Sequence, residues 1–206
     1  MDSDTSGLAM NGIHVIPDFI DSEALREIKP LLINALENWR DGLKIQTNPI
    51  LSVIKQENKM YGNNIIKLRN SENSSNTKLH QVVRNHIYKD KTSIEAIFSE
   101  LESEEEFNIT VMLDGSSVPS HTDKQVFPQG LRSSNKMVLR DITSVCYLND
   151  DFDGGELSFD LLGTKIKPKA GMLVFFPTPN IYQHSVSTVS NGQRYSVSKF
   201  WNFRSS

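Results

Sequence analysis

His121 and Asp123 are separated by a single residue, Thr122, and His184 follows 63 residues after His121. In an extended strand, side chains two apart point to the same face. A His-x-Asp on a strand therefore aims an imidazole and a carboxylate at one point. A further histidine on a neighbouring strand completes a set of two histidines and one carboxylate. Such a set caps one face of an iron(II) ion and leaves the remaining positions open for a cosubstrate and oxygen. Taken alone the triplet is weak, because a surface strand end or loop accommodates it equally well.

The elements that must carry these residues lie in the second half of the chain. From about residue 107, short β-rich runs alternate with turn residues: 107–113, 117–123, 141–148, 155–160, 164–168, 171–177, 181–188 and 194–203. Eight such runs, with Gly, Asn, Asp and Pro between them, predict a double-sheet jelly roll or a barrel. The first half reads as mixed, with helices dominant. A short leading strand is expected over 12–19. A helix capped by Asp21 or Ser22 should run to about Arg40, with Leu25, Ile28, Leu32, Leu36 and Trp39 on one face and a kink at Pro30. Residues 70–77 read as a polar loop and 78–89 as a second helix. A third helix should begin near Thr92, where Glu95 completes a capping box.

Composition bounds the rest. The chain has 206 residues, 37% hydrophobic and 23% charged, with a net charge of -3. These values fit one globular domain over 1–206, divided into a helix-rich support (1–106) and a β-rich core (107–203). The absence of a basic surplus disfavours a nucleic-acid partner. No apolar stretch approaches a membrane span, and MDSDTSGLAM lacks a signal-peptide apolar core. Cys146 is the single cysteine, expected as a small buried residue in a strand, so a reducing, cytoplasmic compartment is the expectation.

Between the His-x-Asp and the end of the chain stand Tyr147–Asn149, Gly154–Leu157, Pro168–Gly171, Phe176–Pro177, His184–Val186 and Gly192–Tyr195. In order and spacing these resemble the prolyl 4-hydroxylase family of iron(II)/2-oxoglutarate oxygenases. The resemblance is strong over 107–203 and weak over 12–40. It implies a mainly β fold, a double-stranded β-helix (jelly roll) with an N-terminal helical part packed on it. It implies iron(II) held by His121, Asp123 and His184, with 2-oxoglutarate and O2 as cosubstrates and ascorbate as an optional reductant. Arg194 matches the base that pairs with the distal carboxylate of 2-oxoglutarate, a task suited to a planar guanidinium fork. Tyr147 matches a phenol on the same carboxylate. Ser196 shares a strand face with Arg194 and is a third candidate anchor. Arg140 matches a position associated with substrate contact.

Three positions depart from that pattern. Val111 and Val118 stand where many relatives carry tyrosines, and Phe200 where many carry tryptophan. The implied reaction is hydroxylation of a prolyl residue in a peptide or protein, with release of succinate and CO2. Two other readings stay open: a hydroxylase of a free amino acid or other small molecule, and a jelly-roll binding module without catalysis. A nucleic-acid demethylase is disfavoured by Phe200, where such proteins carry a second arginine. The connection from Lys124 to Arg140 is long and basic, without an acidic residue, and reads as a binding loop over an extended peptide. His80 and His86 read as solvated or capping residues of the second helix.

Overall fold

The computed structural model describes residues 11–45, 65–68, 74–87, 94–97, 101–102, 107–124 and 140–203. After a short strand, β1 (His14–Ile16), helix α1 spans Ser22–Ile45. Asp21 caps it: its Oδ1 accepts hydrogen bonds from the amides of Glu23 (3.0 Å) and Ala24 (2.8 Å). Two of the orphan donors of the first turn are thereby satisfied. Ala24, Ile28, Leu32, Ala35 and Leu36 form its buried stripe. Pro30 removes one rung of the helical ladder but lies on the exposed side, and the helix runs through it past Arg40.

Helix α2 spans Ser74–Ile87, so its first turn occupies part of the stretch expected as a loop. Ser and Asn disfavour helix only weakly, and the burial of Leu79 and Val83 outweighs that preference. His80 is a second correction. It lies on the inward face three residues before Val83, is 3% exposed, stacks on Phe107, and its Nε2 lies 2.7 Å from the Leu68 carbonyl. His86 instead reaches across to α1, with Nε2 3.2 Å from Glu27 Oε2. Ile94 and Glu95 are helical and a turn follows at once; Thr92 lies outside the described residues.

The strands are β2 (Ile65–Leu68), β3 (Leu101–Glu102), β4 (Asn108–Met112), β5 (Val118–His121), β6 (Ile142–Tyr147), β7 (Asp153–Gly154), β8 (Leu157–Phe159), β9 (Thr164–Ile166), β10 (Leu173–Pro177), β11 (His184–Val186), β12 (Val189–Ser190) and β13 (Arg194–Phe203). Among the described residues they form a seven-stranded sheet, β1-β10-β6-β13-β4-β2 with β3 on β13, and a four-stranded sheet, β5-β11-β8-β9. β7 pairs with β12. All pairings are antiparallel.

Strand alternation sorts the larger sheet into two faces. Val197 and Trp201 of β13, Phe175 of β10 and Cys146 of β6 join the core packed against α1 and α2. Tyr147, Val174 and Phe176 join the second core, shared with Leu157, Phe159 and Val186 of the smaller sheet. This is the jelly-roll arrangement, two sheets face to face with helices behind the larger. No helix among the described residues is long and apolar enough to cross a membrane.

Candidate metal centre and cosubstrate pocket

β5 ends at His121, short of the strand expected to 123, and Asp123 lies two residues on, in the bend beyond it. β11 begins at His184, which stands opposite His121 in the register of the two strands. His121 Nε2 lies 3.7 Å from Asp123 Oδ1, and His184 Nε2 lies 3.5 Å from Asp123 Oδ2. One ligand atom from each of these residues falls within 4.8 Å of the other two.

Both imidazoles are oriented by their own backbone. His121 Nδ1 is 2.9 Å from the Pro119 carbonyl, and His184 Nδ1 is 3.0 Å from the Tyr182 carbonyl. A carbonyl only accepts, so each Nδ1 carries the hydrogen and each Nε2 presents a lone pair. Burial holds His184 below the ordinary histidine range, and the His121 ring adds to this against the pull of the Asp123 charge. A depressed value keeps the imidazole neutral, the form that binds a metal. Asp123 Oδ2 accepts a hydrogen bond of 2.8 Å from Thr143 Oγ1.

A cavity of about 160 Å³ opens beside this cluster. Val118, Leu157 and Val186 line it from the smaller sheet, and Thr110, Met112 and Arg194 from the larger. Arg194 and Tyr147 are buried, at 4% and 0% exposure. Arg194 Nη1 donates to Ser196 Oγ at 3.0 Å and contacts Met112 Sδ at 3.5 Å. Its guanidinium carbon sits 4.8 Å from the centre of the Tyr147 ring. Burial raises the Tyr147 phenol above its ordinary value, against the opposing charge of Arg194, so the phenol is a hydrogen-bond donor.

Two buried polar atoms in this corner have no hydrogen-bond partner, Tyr147 Oη and Arg194 Nε. Unsatisfied buried donors are costly, and a cationic fork beside a phenol suits a carboxylate. The donors thus fit a carboxylate-bearing cosubstrate, and the His–Asp–His set fits a divalent metal such as iron(II) with open positions. Gly155 makes room at this corner. Its φ is +63°, and a Cβ there would come within 3.0 Å of Arg194 Cδ and 2.7 Å of the Phe152 ring.

The structure therefore brings His121, Asp123 and His184 together with Arg194 and Ser196 around one cavity, while Tyr147 lies against Arg194 but outside the cavity lining. Val118 and Phe200 line it as well. Val111 does not: it faces the helices, and its strand neighbours Thr110 and Met112 face the cavity. Arg140 lies with its guanidinium 3.4 Å over the Phe200 ring, and its Nη1 donates to the Asp123 carbonyl at 3.4 Å. Residues 125–139, the greater part of the expected binding loop, lie outside the described residues. Sequence reasoning missed Thr143, Thr110, Met112 and Lys67, all of which line the cavity. For Thr143 a signal existed, since it stands four residues before Tyr147 in one strand and so shares its face.

The family model described as the 2OG-Fe(II) oxygenase superfamily matches residues 107–202. Prolyl 3-hydroxylase 2 of Mus musculus is 41% identical over 63 residues, which are 28% of this chain and 9% of that protein. A PKHD-type hydroxylase of Gluconacetobacter diazotrophicus is 34% identical over 91 residues, 42% of this chain and 38% of that protein. The matched part of this chain thus spans well under half the length of either relative. Among solved structures, a viral collagen prolyl hydroxylase from Paramecium Bursaria Chlorella virus-1, in complex with 2OG, shares the fold. Its TM-score is 0.59 at 17% identity, covering 94% of this chain and 97% of that one. A prolyl hydroxylase from Trichoplax adhaerens, in complex with a hypoxia inducible factor peptide fragment, has TM-score 0.63 at 16% identity, covering 94% and 84%. The 2OG-Fe(II) oxygenase superfamily model thus matches the segment of the chain, residues 107–202, that carries both groups of site residues.

Proposed function

We propose that the chain is an iron(II)- and 2-oxoglutarate-dependent dioxygenase that hydroxylates a prolyl residue in a peptide or protein. The observation that carries this reading is the placement of two donor sets around one cavity, His121–Asp123–His184 and Arg194–Ser196, with the buried Tyr147 against Arg194. In the first set the two Nε2 atoms and the Asp123 carboxylate would hold iron(II). In the second, Arg194 would pair with the distal carboxylate of 2-oxoglutarate, with Tyr147 Oη and Ser196 Oγ as neutral partners. Bound iron and 2-oxoglutarate supply the oxidising chemistry, with succinate and CO2 as by-products.

The chain's own contribution is to orient and to exclude. The Pro119 and Tyr182 carbonyls fix the two imidazole tautomers. Val118, Leu157 and Val186 give the cavity an apolar wall that keeps bulk water from the reacting centre. The prolyl assignment is supported by the prolyl hydroxylases among the relatives and fold neighbours, one of them holding a peptide.

The test is succinate release by the purified chain with iron(II) and 2-oxoglutarate, run with a panel of proline-containing peptides and with free proline. A mass gain of one oxygen on a peptide supports the proposal. The same gain on free proline alone moves the assignment to a small-molecule hydroxylase. No succinate under any condition would mean a binding module rather than an enzyme.

A further inference from the structure

Thr143 stands on β6 with its side chain directed at the cavity, and it is 2% exposed. In register it lies between Phe176 of β10 and Phe200 of β13, two aromatic neighbours that shield it from water. A hydroxyl in such a place must find a partner. Its partner is the Asp123 carboxylate, at Oδ2, 2.8 Å away.

That bond differs in kind from those that orient the histidines. His121 and His184 each lean on a backbone carbonyl two residues back in their own segment. Asp123 lies just beyond β5 of the smaller sheet, and Thr143 belongs to the larger, so the bond crosses the gap between the sheets. A carboxylate is free to turn about its last torsion, whose profile is broad. With Oδ2 engaged by a hydroxyl, that rotation is restrained and both oxygens keep their places in the cluster: Oδ1 lies 3.7 Å from His121 Nε2 and Oδ2 3.5 Å from His184 Nε2.

We propose that Thr143 is a positioning residue for the metal centre, holding the Asp123 carboxylate by Oδ2 so that its orientation toward the two imidazoles is fixed before a metal binds. The inference rests on reading His121, Asp123 and His184 as metal ligands. Without Thr143 the carboxylate is free to turn about its last torsion, and the three ligands lose their fixed mutual orientation.

The test uses the full chain without iron, titrated with Mn(II), and Co(II) absorption as a report on ligation. Thr143→Val removes the hydroxyl and keeps the shape; Thr143→Ser keeps the hydroxyl; Thr143→Ala serves if the valine variant does not fold. Loss of an outer partner of a ligand typically costs ~10–100-fold in metal affinity, and that loss is expected for Val and Ala, together with an altered Co(II) spectrum. Ser should stay close to the parent in both. Urea unfolding of the metal-free variants reads the loss of the tie between sheets separately. Parental Mn(II) affinity and Co(II) spectrum in the valine or alanine variant overturn the inference, even if metal-free stability falls, because Thr143 would then serve only the fold. Failure of the parent itself to bind Mn(II) or Co(II) overturns the metal-centre reading, and the inference with it.

Discussion

His184 stands directly across from His121 in the antiparallel pairing of β11 with β5, their ring centroids 4.4 Å apart. The next pair, Val186 with Val118, advances two residues on one strand and three on the other, so β5 carries an irregularity just before His121. Bulges of this kind re-aim a side chain next to an active site. Here the irregularity leaves both imidazoles and the Asp123 carboxylate converging on one point.

Replacement of any member of that cluster should remove iron binding and turnover while the protein stays folded. The stability cost should differ between the histidines. The His184 side chain is 7% exposed and that of His121 29%, so His184→Ala opens the larger hole in packed surroundings. Metal content by elemental analysis and the urea midpoint of each variant check both statements. A His121→Ala, Asp123→Ala or His184→Ala protein that retains full iron stoichiometry would contradict the assignment.

Arg194→Ala should raise the 2-oxoglutarate requirement steeply while largely sparing iron. Removing a charged partner from a desolvated pair typically costs ~2–5 kcal/mol, or roughly 30-fold and upward in affinity. A titration of 2-oxoglutarate against succinate release measures it, with an unchanged requirement as the contrary result.

Tyr147→Phe should act with opposite signs on two measurements. The phenol oxygen is buried without a partner, so its removal should stabilise the ligand-free protein by up to about 1 kcal/mol. The same change should weaken 2-oxoglutarate binding by about 1 kcal/mol, the worth of a neutral hydrogen bond. Thermal unfolding with and without 2-oxoglutarate separates the two effects.

Gly155→Ala should harm the same corner from behind. A Cβ at a φ of +63° would press on the Phe152 ring and on Arg194 Cδ. Overpacking of this sort costs about 1–3 kcal/mol, and displacement of Arg194 should raise the 2-oxoglutarate requirement as well. An alanine variant with parental stability and parental 2-oxoglutarate dependence would show that the turn accommodates the methyl group without moving Arg194.

The metal-free protein should lose stability as pH falls through the ordinary histidine range. Burial holds the His184 value in the fold below that of the unfolded chain, so the unfolded chain binds the proton first. Stability from this group is full above the unfolded value and is lost as pH drops from there toward the depressed folded value. Urea midpoints followed from neutral to mildly acidic pH should fall more in the parent than in His184→Asn. Equal slopes would contradict the role of burial.

Short-range geometry and motif account for what is legible in the chain alone. The period of two along a strand places Arg194 with Ser196 on β13, whatever they face, and closeness in the chain keeps Asp123 near His121 although β5 ends at His121. The turn-bounded β runs mark the eight main strands of 107–203, and Asp21 caps α1 with its own side chain. Tertiary structure alone decided which residues meet across strands and sheets. The Thr143 hydroxyl reaches Asp123 only because two sheets face each other, and the start of α2 at Ser74 depends on packing against α1. Val111 and Met112 differ by one place in the chain and stand on opposite faces of β4, an outcome set by register with β2 and β13. Local periodicity is written in neighbouring residues, whereas register is chosen by the burial of a whole face, and no single segment encodes that choice.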